Sequence, residues 1–126
     1  MKNDNHKWDD KLPTAQMLGR WQPWHNGHQK LFEEILKKTG QVNIMVRDVH
    51  GIEDNPFEFE TVKKNILEAL KDYKNRIKIS LVPNITNICY GRGVGYKIEE
   101  IVLDQKTQQI SATKIREQLR KEGKIK

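Results

Sequence analysis

Apolar residues follow two different periods along this chain. Short runs rich in β-branched residues, typical of buried strands, alternate with stretches in which apolar residues recur every three or four positions, as on one face of a helix. Glycine, proline and polar clusters separate the two kinds of segment. The pattern predicts strands at residues 15–18, 42–46, 77–82 and 98–103, and helices between residues 28 and 39, at residues 57–73 and from residue 111 onward.

The alternation of strands and helices predicts an α/β fold. Parallel βαβ units with right-handed crossovers give a mostly parallel sheet with helices on both faces. The 126 residues are enough for one domain with a single core, and we assign residues 1–13 to an N-terminal arm and residues 14–126 to the domain. Ligands of such sheets bind beyond the carboxyl ends of the strands. Four segments are expected there, namely residues 19–28, 47–55 and 91–95 and the loop that leads to residue 111.

Composition narrows the classes of partner. The formal charge of +6 fits an anionic small substrate and permits nucleic acid without requiring it. The few aromatic residues are not interleaved with basic ones as stacking platforms for RNA require, so we expect no nucleic-acid partner. No apolar run is long enough to cross a bilayer and residues 1–11 are polar, which predicts a cytoplasmic protein without a membrane partner. The lone Cys89 excludes an internal disulfide framework.

The segment from Gly19 to His28 carries the most specific chemistry. Its two histidines lie three positions apart, directly behind a glycine turn and ahead of an amphipathic helix. Backbone N–H groups and the positive N-terminus of that helix would stabilise an anion such as a triphosphate at one spot. The imidazoles of His25 and His28 would then donate to the oxygens of a phosphorus under attack. A pair of surface or capping histidines is the alternative.

Two motifs in this chain resemble those of the nucleotidyltransferase superfamily. Residues 19–28, GRWQPWHNGH, resemble its HxGH signature, and residues 110–116, ISATKIR, resemble its second, ISSTxxR-type signature. The resemblance extends over residues 14–126. It implies a Rossmann-like α/β fold and transfer of a nucleoside monophosphate from a triphosphate to a phosphorylated acceptor, with release of pyrophosphate. It also implies Mg²⁺ carried by the nucleotide, with no metal site on the chain, and permits a homodimer.

The resemblance also implies roles for individual residues. The catalytic residues are His25 and His28, which donate to the α- and β-phosphate oxygens, while Gly27 keeps the backbone between them free of a side chain. Ser111 and Thr113 hold the β- and γ-phosphates at the start of the last helix, although Ser111 also fits an N-cap. The remaining nucleotide-binding residues are Arg116, which adds positive charge, Gly19, Arg20, Trp21 and Gln22 of the first motif, and Gly91 and Arg92 of the loop expected to contact the base. Apart from the resemblance, Lys30 and Arg47 are candidate anchors for the acceptor phosphate, with a solvated charge as the alternative for each.

Chain length and motif residues predict different donor bases. The overall length resembles the small cytidylyltransferases of the glycerol-3-phosphate type, which predicts CTP and a small phosphorylated acceptor, such as a building block for a lipid or surface polysaccharide. The residues Gly-Arg-Trp-Gln-Pro at 19–23 instead resemble adenylyltransferases of the nicotinamide-mononucleotide type, which use ATP. A nucleotide-binding regulator without turnover and an RNA-binding module are the remaining alternatives.

Overall fold

The structure is a computed structural model that describes residues 4–93 and 95–126. Residues 1–3 of the assigned N-terminal arm and Val94 of the expected base-contacting loop lie outside the described residues. Along the chain the elements are β1 (Ala15–Gly19), α1 (Asn26–Thr39), β2 (Val42–Arg47), α2 (Phe59–Ala69), a 3₁₀ helix (Lys71–Arg76), β3 (Ile77–Val82), α3 (Gln105–Gln108) and α4 (Ala112–Lys121).

The three strands form one open parallel sheet in the order β1-β2-β3. Ala15 pairs with Val42, and Val42 pairs in turn with Ile77, so the amino ends of all three strands are in register. A helix follows each of the first two strands, as parallel neighbours require. This arrangement is a Rossmann-like α/β fold in a single domain and confirms the predicted fold class. It also brings residues 19–28 and 47–55 to the same, carboxyl edge of the sheet.

The core lies on one face of the sheet, where β2 alternates between buried and half-buried positions. Its buried residues Val42, Ile44 and Val46 pack with apolar side chains of both long crossover helices. Burying each such side chain stabilises the fold by roughly 1.5–3 kcal/mol. The helical residues of this core are Phe32, Ile35 and Leu36 of α1 and Val62 and Ile66 of α2. No helix in the described part of the chain is long and apolar enough to span a membrane.

Residues 4–10 lie against the amino end of the sheet. Asp4 forms an ion pair with Arg76, which immediately precedes β3. His6 Nε2 lies 3.1 Å from Oε1 of the fully buried Gln41. The ammonium of Lys78 lies 5.5 Å from the centre of the Trp8 ring. These contacts anchor the first described residues at the end of the strands remote from the histidine motif.

The predicted fourth strand at residues 98–103 is wrong. The structure has neither helix nor strand between residues 83 and 104, apart from Val94, which is not described. Ile98 and Val102 are 59% and 73% exposed, and Ile101 alone of the three packs against the core. Glu99 instead forms an ion pair with Lys38 near the end of α1. A β-branched run becomes a strand only where a neighbouring strand pairs with its backbone. Here the run contacts α1 through Glu99 instead.

Candidate nucleotide-binding site

The two histidines of the first motif form a reciprocal cap at the start of α1. His25 is the N-cap residue, and its Nδ1 accepts hydrogen bonds from the backbone N–H groups of Gly27, at 3.0 Å, and of His28, at 3.4 Å. In return, the His25 backbone N–H donates to His28 Nδ1 at 3.1 Å. The two rings stack with centroids 3.6 Å apart. Both histidines therefore act as capping residues, as in the alternative interpretation, and the caps fix the orientation of both rings.

The caps determine which ring nitrogen carries the proton. A nitrogen that accepts a backbone N–H has no hydrogen of its own, so each neutral ring must hold its proton on Nε2. Burial lowers the pKa of His25, and burial together with the neighbouring His25 lowers the pKa of His28 to about 3. Both rings are therefore neutral near pH 7. Each presents one Nε2–H donor, which suits a phosphate oxygen.

The expected role of the backbone amides in this turn needs correction. The sequence predicts that backbone N–H groups of this turn face an anion, but those of Gly27 and His28 donate to the His25 ring. Since one N–H donates one strong hydrogen bond, these two amides are already occupied. The imidazole Nε2–H groups at this helix start can donate to a phosphate, supported by the positive end of the helix dipole.

Gly27 lies where the two motifs contact each other. A Cβ atom at this position would lie 2.8 Å from His25 Cε1 and 3.6 Å from the Cβ of Ile110. The first contact shows that the His25 ring occupies the space that a side chain would need. The second shows that the residue preceding Ser111 lies against the histidine turn. The starts of α1 and α4 are therefore neighbours, although they are more than eighty residues apart in sequence.

Two buried tryptophan rings pack against His28. Trp21 and Trp24 are 6% and 9% exposed, and their ring centroids lie 4.8 Å and 5.5 Å from that of His28. Trp21 has a φ of 55°, and its indole N–H donates to the Met45 carbonyl at 3.2 Å. A Cβ at Gly19 would lie 2.6 Å from the Trp21 ring, so the glycine is required for this packing. Gly19 and Trp21 therefore pack against each other, and Trp21 packs against His28, while their predicted contact with nucleotide remains a prediction.

Gln22 joins the first motif to the segment that precedes α2. Its side chain is 4% exposed, and both of its amide ends bond to the backbone of Phe57, each at 2.9 Å. A buried amide that is paired at both ends fixes the distance between the two segments. The predicted contact of this side chain with nucleotide remains a prediction. The geometry shows a structural role.

The second motif starts α4 with the expected cap. Ser111 is the N-cap residue, and its hydroxyl oxygen accepts the Lys114 N–H at 3.3 Å. Thr113 is exposed, and its Oγ1 accepts a hydrogen bond from Arg116 Nη2 at 3.3 Å. Both hydroxyls keep their own proton for donation. Arg116 is 5% exposed, and its Nη1 donates to the Gln22 carbonyl at 2.6 Å. Its guanidinium thus touches both motifs.

An acidic residue outside both motifs completes this cluster. Asp54 accepts a hydrogen bond from Arg116 Nε at 2.8 Å and also forms an ion pair with Arg120. In the sequence, Asp54 belongs to a polar stretch, and the charge of that stretch does not indicate a partner for the carboxylate. Its partners lie 62 and 66 residues away, so no local pattern reveals them. Arg120, four residues after Arg116, was the available clue, because that spacing places both on one helix face.

The other predicted residues follow β1, lie on α1 or β2, or belong to the segment between residues 83 and 104. Arg20 is exposed, and Lys30 is exposed with its ammonium 3.8 Å from Glu33. Arg47 ends β2 and donates from Nη2 to Asn84 Oδ1 at 2.7 Å, while its buried Nε has no hydrogen-bond partner in residues 4–93 and 95–126. Gly91 and Arg92 lie in the segment without helix or strand, where the Arg92 carbonyl accepts a bond from Tyr96 at 3.3 Å.

The donor set favours phosphate rather than a metal ion. Imidazole Nε2–H groups, hydroxyls and a guanidinium offer hydrogens to anionic oxygens, whereas Mg²⁺ requires carboxylate, carbonyl or water oxygens. Within the described residues, no group of three or more His, Cys, Asp or Glu side chains is arranged to hold a metal ion. The residues of this site therefore fit the phosphates of a nucleotide and do not themselves fit Mg²⁺.

Comparison with known proteins gives one partial likeness. No protein-family model matches the chain. A stretch of 62 residues, 47% of this chain, is 36% identical to a nicotinamide-nucleotide adenylyltransferase of Methanococcus aeolicus. The match covers 36% of that protein, so the chain spans about a third of the length of this relative. The likeness indicates a nucleotidyltransferase-type relationship, which supports the predicted class at this level. The donor base and the acceptor remain predictions.

Proposed function

We propose that this chain is a nucleotidyltransferase that moves a nucleoside monophosphate from a triphosphate to a small phosphorylated acceptor. One observation carries the proposal, namely that two neutral imidazoles, each capped at Nδ1 and with its proton on Nε2, lie at the start of α1, beside the start of α4. Donors in this position can bind phosphate oxygens on which negative charge grows during the reaction. The partial likeness to an adenylyltransferase supports the same class.

The proposed reaction is a direct displacement at the α-phosphorus. An oxygen of the acceptor phosphate forms a bond to this phosphorus, the bond to the α–β bridging oxygen breaks, and pyrophosphate leaves with the bonding electrons. His25 and His28 donate to the α- and β-phosphate oxygens, while Ser111, Thr113 and Arg116 hold the β- and γ-phosphates. The nucleotide brings Mg²⁺, which neutralises part of its charge. No nucleophilic side chain is needed.

The neutral state of the histidines suits this task. A neutral imidazole donates through Nε2 without the strong ground-state attraction of a full positive charge, so its hydrogen bond gains strength as the oxygen becomes more negative. The caps keep both rings in the required tautomer before substrate arrives. A donor of this kind contributes about 100- to 1,000-fold to turnover.

The donor base is the finer part of the proposal. CTP is the donor expected from the sequence, and ATP is the alternative, supported by the residues at 19–23 and by the name of the matched adenylyltransferase. The acceptor phosphate is proposed to contact Arg47 at the end of β2 and Lys30 on α1. A comparison of CTP, ATP, GTP and UTP, each with a panel of phosphorylated acceptors, decides between the donors through the release of pyrophosphate.

The His28→Asn variant tests the catalytic role. Asparagine keeps an oxygen close to the position of Nδ1 and so retains the acceptor for the His25 N–H, but it removes Nε2–H. We expect turnover to fall about 100- to 1,000-fold, with less than about a threefold change in the dissociation constant of the triphosphate. His6→Asn, at the opposite end of the sheet, is the matched control and should retain full activity. Absence of pyrophosphate with every donor and acceptor would contradict the proposed function.

A further inference from the structure

Two arginines of α4 share one carboxylate from the loop after β2. Asp54 Oδ2 accepts from Arg116 Nε at 2.8 Å, and Asp54 Oδ1 accepts from Arg120 Nη2. The Arg116 side chain is 6% exposed, whereas those of Asp54 and Arg120 are 42% and 38% exposed. Hydrogen bonds from Arg120 and then Arg116 lower the pKa of Asp54 to about 2. The carboxylate is therefore charged at any pH at which the protein would work.

The contacts of Arg116 leave part of its guanidinium available. An arginine has five N–H donors, one on Nε and two on each Nη atom. Nε donates to Asp54, one Nη1 hydrogen goes to the Gln22 carbonyl, and one Nη2 hydrogen goes to Thr113 Oγ1. Within the described part of the chain, each Nη atom thus keeps one further hydrogen without a partner. The Thr113 contact places Nη2 at the first turn of α4, next to the proposed position of the β- and γ-phosphates.

We propose that Asp54 is a positioning residue that orients the Arg116 guanidinium toward a triphosphate bound at the start of α4. The inference rests on the proposed function, and Asp54 acts through Arg116 without touching the nucleotide. Because Asp54 follows β2 and the Gln22 carbonyl belongs to the first motif, the guanidinium is held from two segments other than its own helix. A long arginine side chain with one fixed orientation loses less freedom when it binds a phosphate.

Charge alone predicts the opposite effect. If Asp54 acted only as a negative charge near the nucleotide, Asp54→Asn would remove a repulsion and tighten triphosphate binding. If Asp54 orients Arg116, the same substitution replaces one of the two acceptor oxygens by an NH2 group and removes the charge, which loosens the guanidinium and weakens binding. Arg120→Gln is the matched control, because it removes the other partner of the carboxylate and leaves the contact between Asp54 and Arg116 in place. On charge alone, that control would weaken binding.

Calorimetric titration of the full chain with CTP and ATP separates these accounts. We expect Asp54→Asn to raise the dissociation constant of the preferred triphosphate about tenfold, Asp54→Glu to give a smaller increase, and Arg120→Gln to stay within about twofold of the unmodified protein. The dissociation constant of the corresponding monophosphate, which lacks the β- and γ-phosphates, should be the same in all four proteins. A role in stability alone would leave the affinity of the folded protein for triphosphate unchanged.

Unchanged or tighter triphosphate binding by Asp54→Asn would overturn the positioning role while leaving the proposed function intact. Equal weakening by Arg120→Gln would also overturn it, since the effect would then follow from any disturbance of the cluster and not from the contact between Asp54 and Arg116. If Asp54→Asn does not fold, Asp54→Glu decides, because a carboxylate displaced by one methylene must shift the guanidinium, and an unchanged affinity would contradict the proposal. Failure of the unmodified chain to bind any triphosphate would instead reject the proposed function, and the positioning role with it.

Discussion

Acidification should destabilise this protein through His28. In the folded state, burial and the neighbouring His25 lower the pKa of His28 to about 3, whereas an unfolded chain has a histidine pKa of about 6.5. A proton therefore binds the unfolded state more tightly than the folded state. The stability contributed by the neutral ring is complete above pH 6.5 and is lost as the pH falls toward 3.

The magnitude follows from the two pKa values. At pH 5 an unfolded histidine is almost fully protonated while the folded His28 is almost fully neutral, which lowers the free energy of unfolding by about 2 kcal/mol relative to pH 7.5. The figure is insensitive to the folded pKa as long as that value lies well below 5. His25 contributes with the same sign, because burial also lowers its pKa.

Urea unfolding followed by tryptophan fluorescence, at pH 7.5 and at pH 5.0, provides the assay. The His28→Asn variant retains an acceptor for the His25 N–H but has no proton to gain, so it should lose about 2 kcal/mol less than the unmodified protein over this interval. Carboxylates and His25 titrate in both proteins, and their contributions cancel to first order. Parallel losses in the two proteins would refute the reasoning and show that His28 can protonate in the folded state.

Two further substitutions test the packing of the first motif. Gly27→Ala places a Cβ 2.8 Å from His25 Cε1, so the ring must move; we expect a loss of about 1 kcal/mol in urea unfolding, as for a lost N-cap, together with loss of pyrophosphate release. An unchanged urea midpoint with normal turnover would contradict the steric account. Gln22→Ala leaves the N–H and carbonyl of Phe57 without their partners, which should cost about 2–3 kcal/mol of unfolding free energy. A cost below about 0.5 kcal/mol would show that the segment is held by other contacts.

The first half of the fold was predictable because two local signals agree there. Strong apolar periodicity and clear stop signals, such as Gly40 with a φ of 83°, fix β1 through β3 within a few residues. The stretch between residues 83 and 104 was not, because a β-branched run between residues 98 and 103 carries the local signature of a strand without the neighbour that makes one. Pairing is a property of the whole sheet, and local periodicity does not contain it.

The site divides in the same way. The motifs place His25, His28 and Ser111 at helix starts, and the structure brings those starts together. The hydrogen bonds of Gln22 and Asp54 connect residues 35 and 62 positions apart, so the periods that reveal helices and strands carry no trace of them. Local motifs therefore reveal residues whose role depends on their own place in a helix or turn. They do not reveal residues that act through hydrogen bonds to distant parts of the chain.

The two ring nitrogens of His25 serve different purposes, since Nδ1 caps the helix and Nε2–H is the proposed donor to substrate. Folding asks only for an acceptor at Nδ1, and serine, aspartate or asparagine meet that demand at least as well in other helices. None of these residues can replace the Nε2–H donor, because their shorter side chains do not extend beyond the capping atom. A population selected for stability alone would drift away from histidine at position 25. Retention of histidine there would therefore record selection for chemistry.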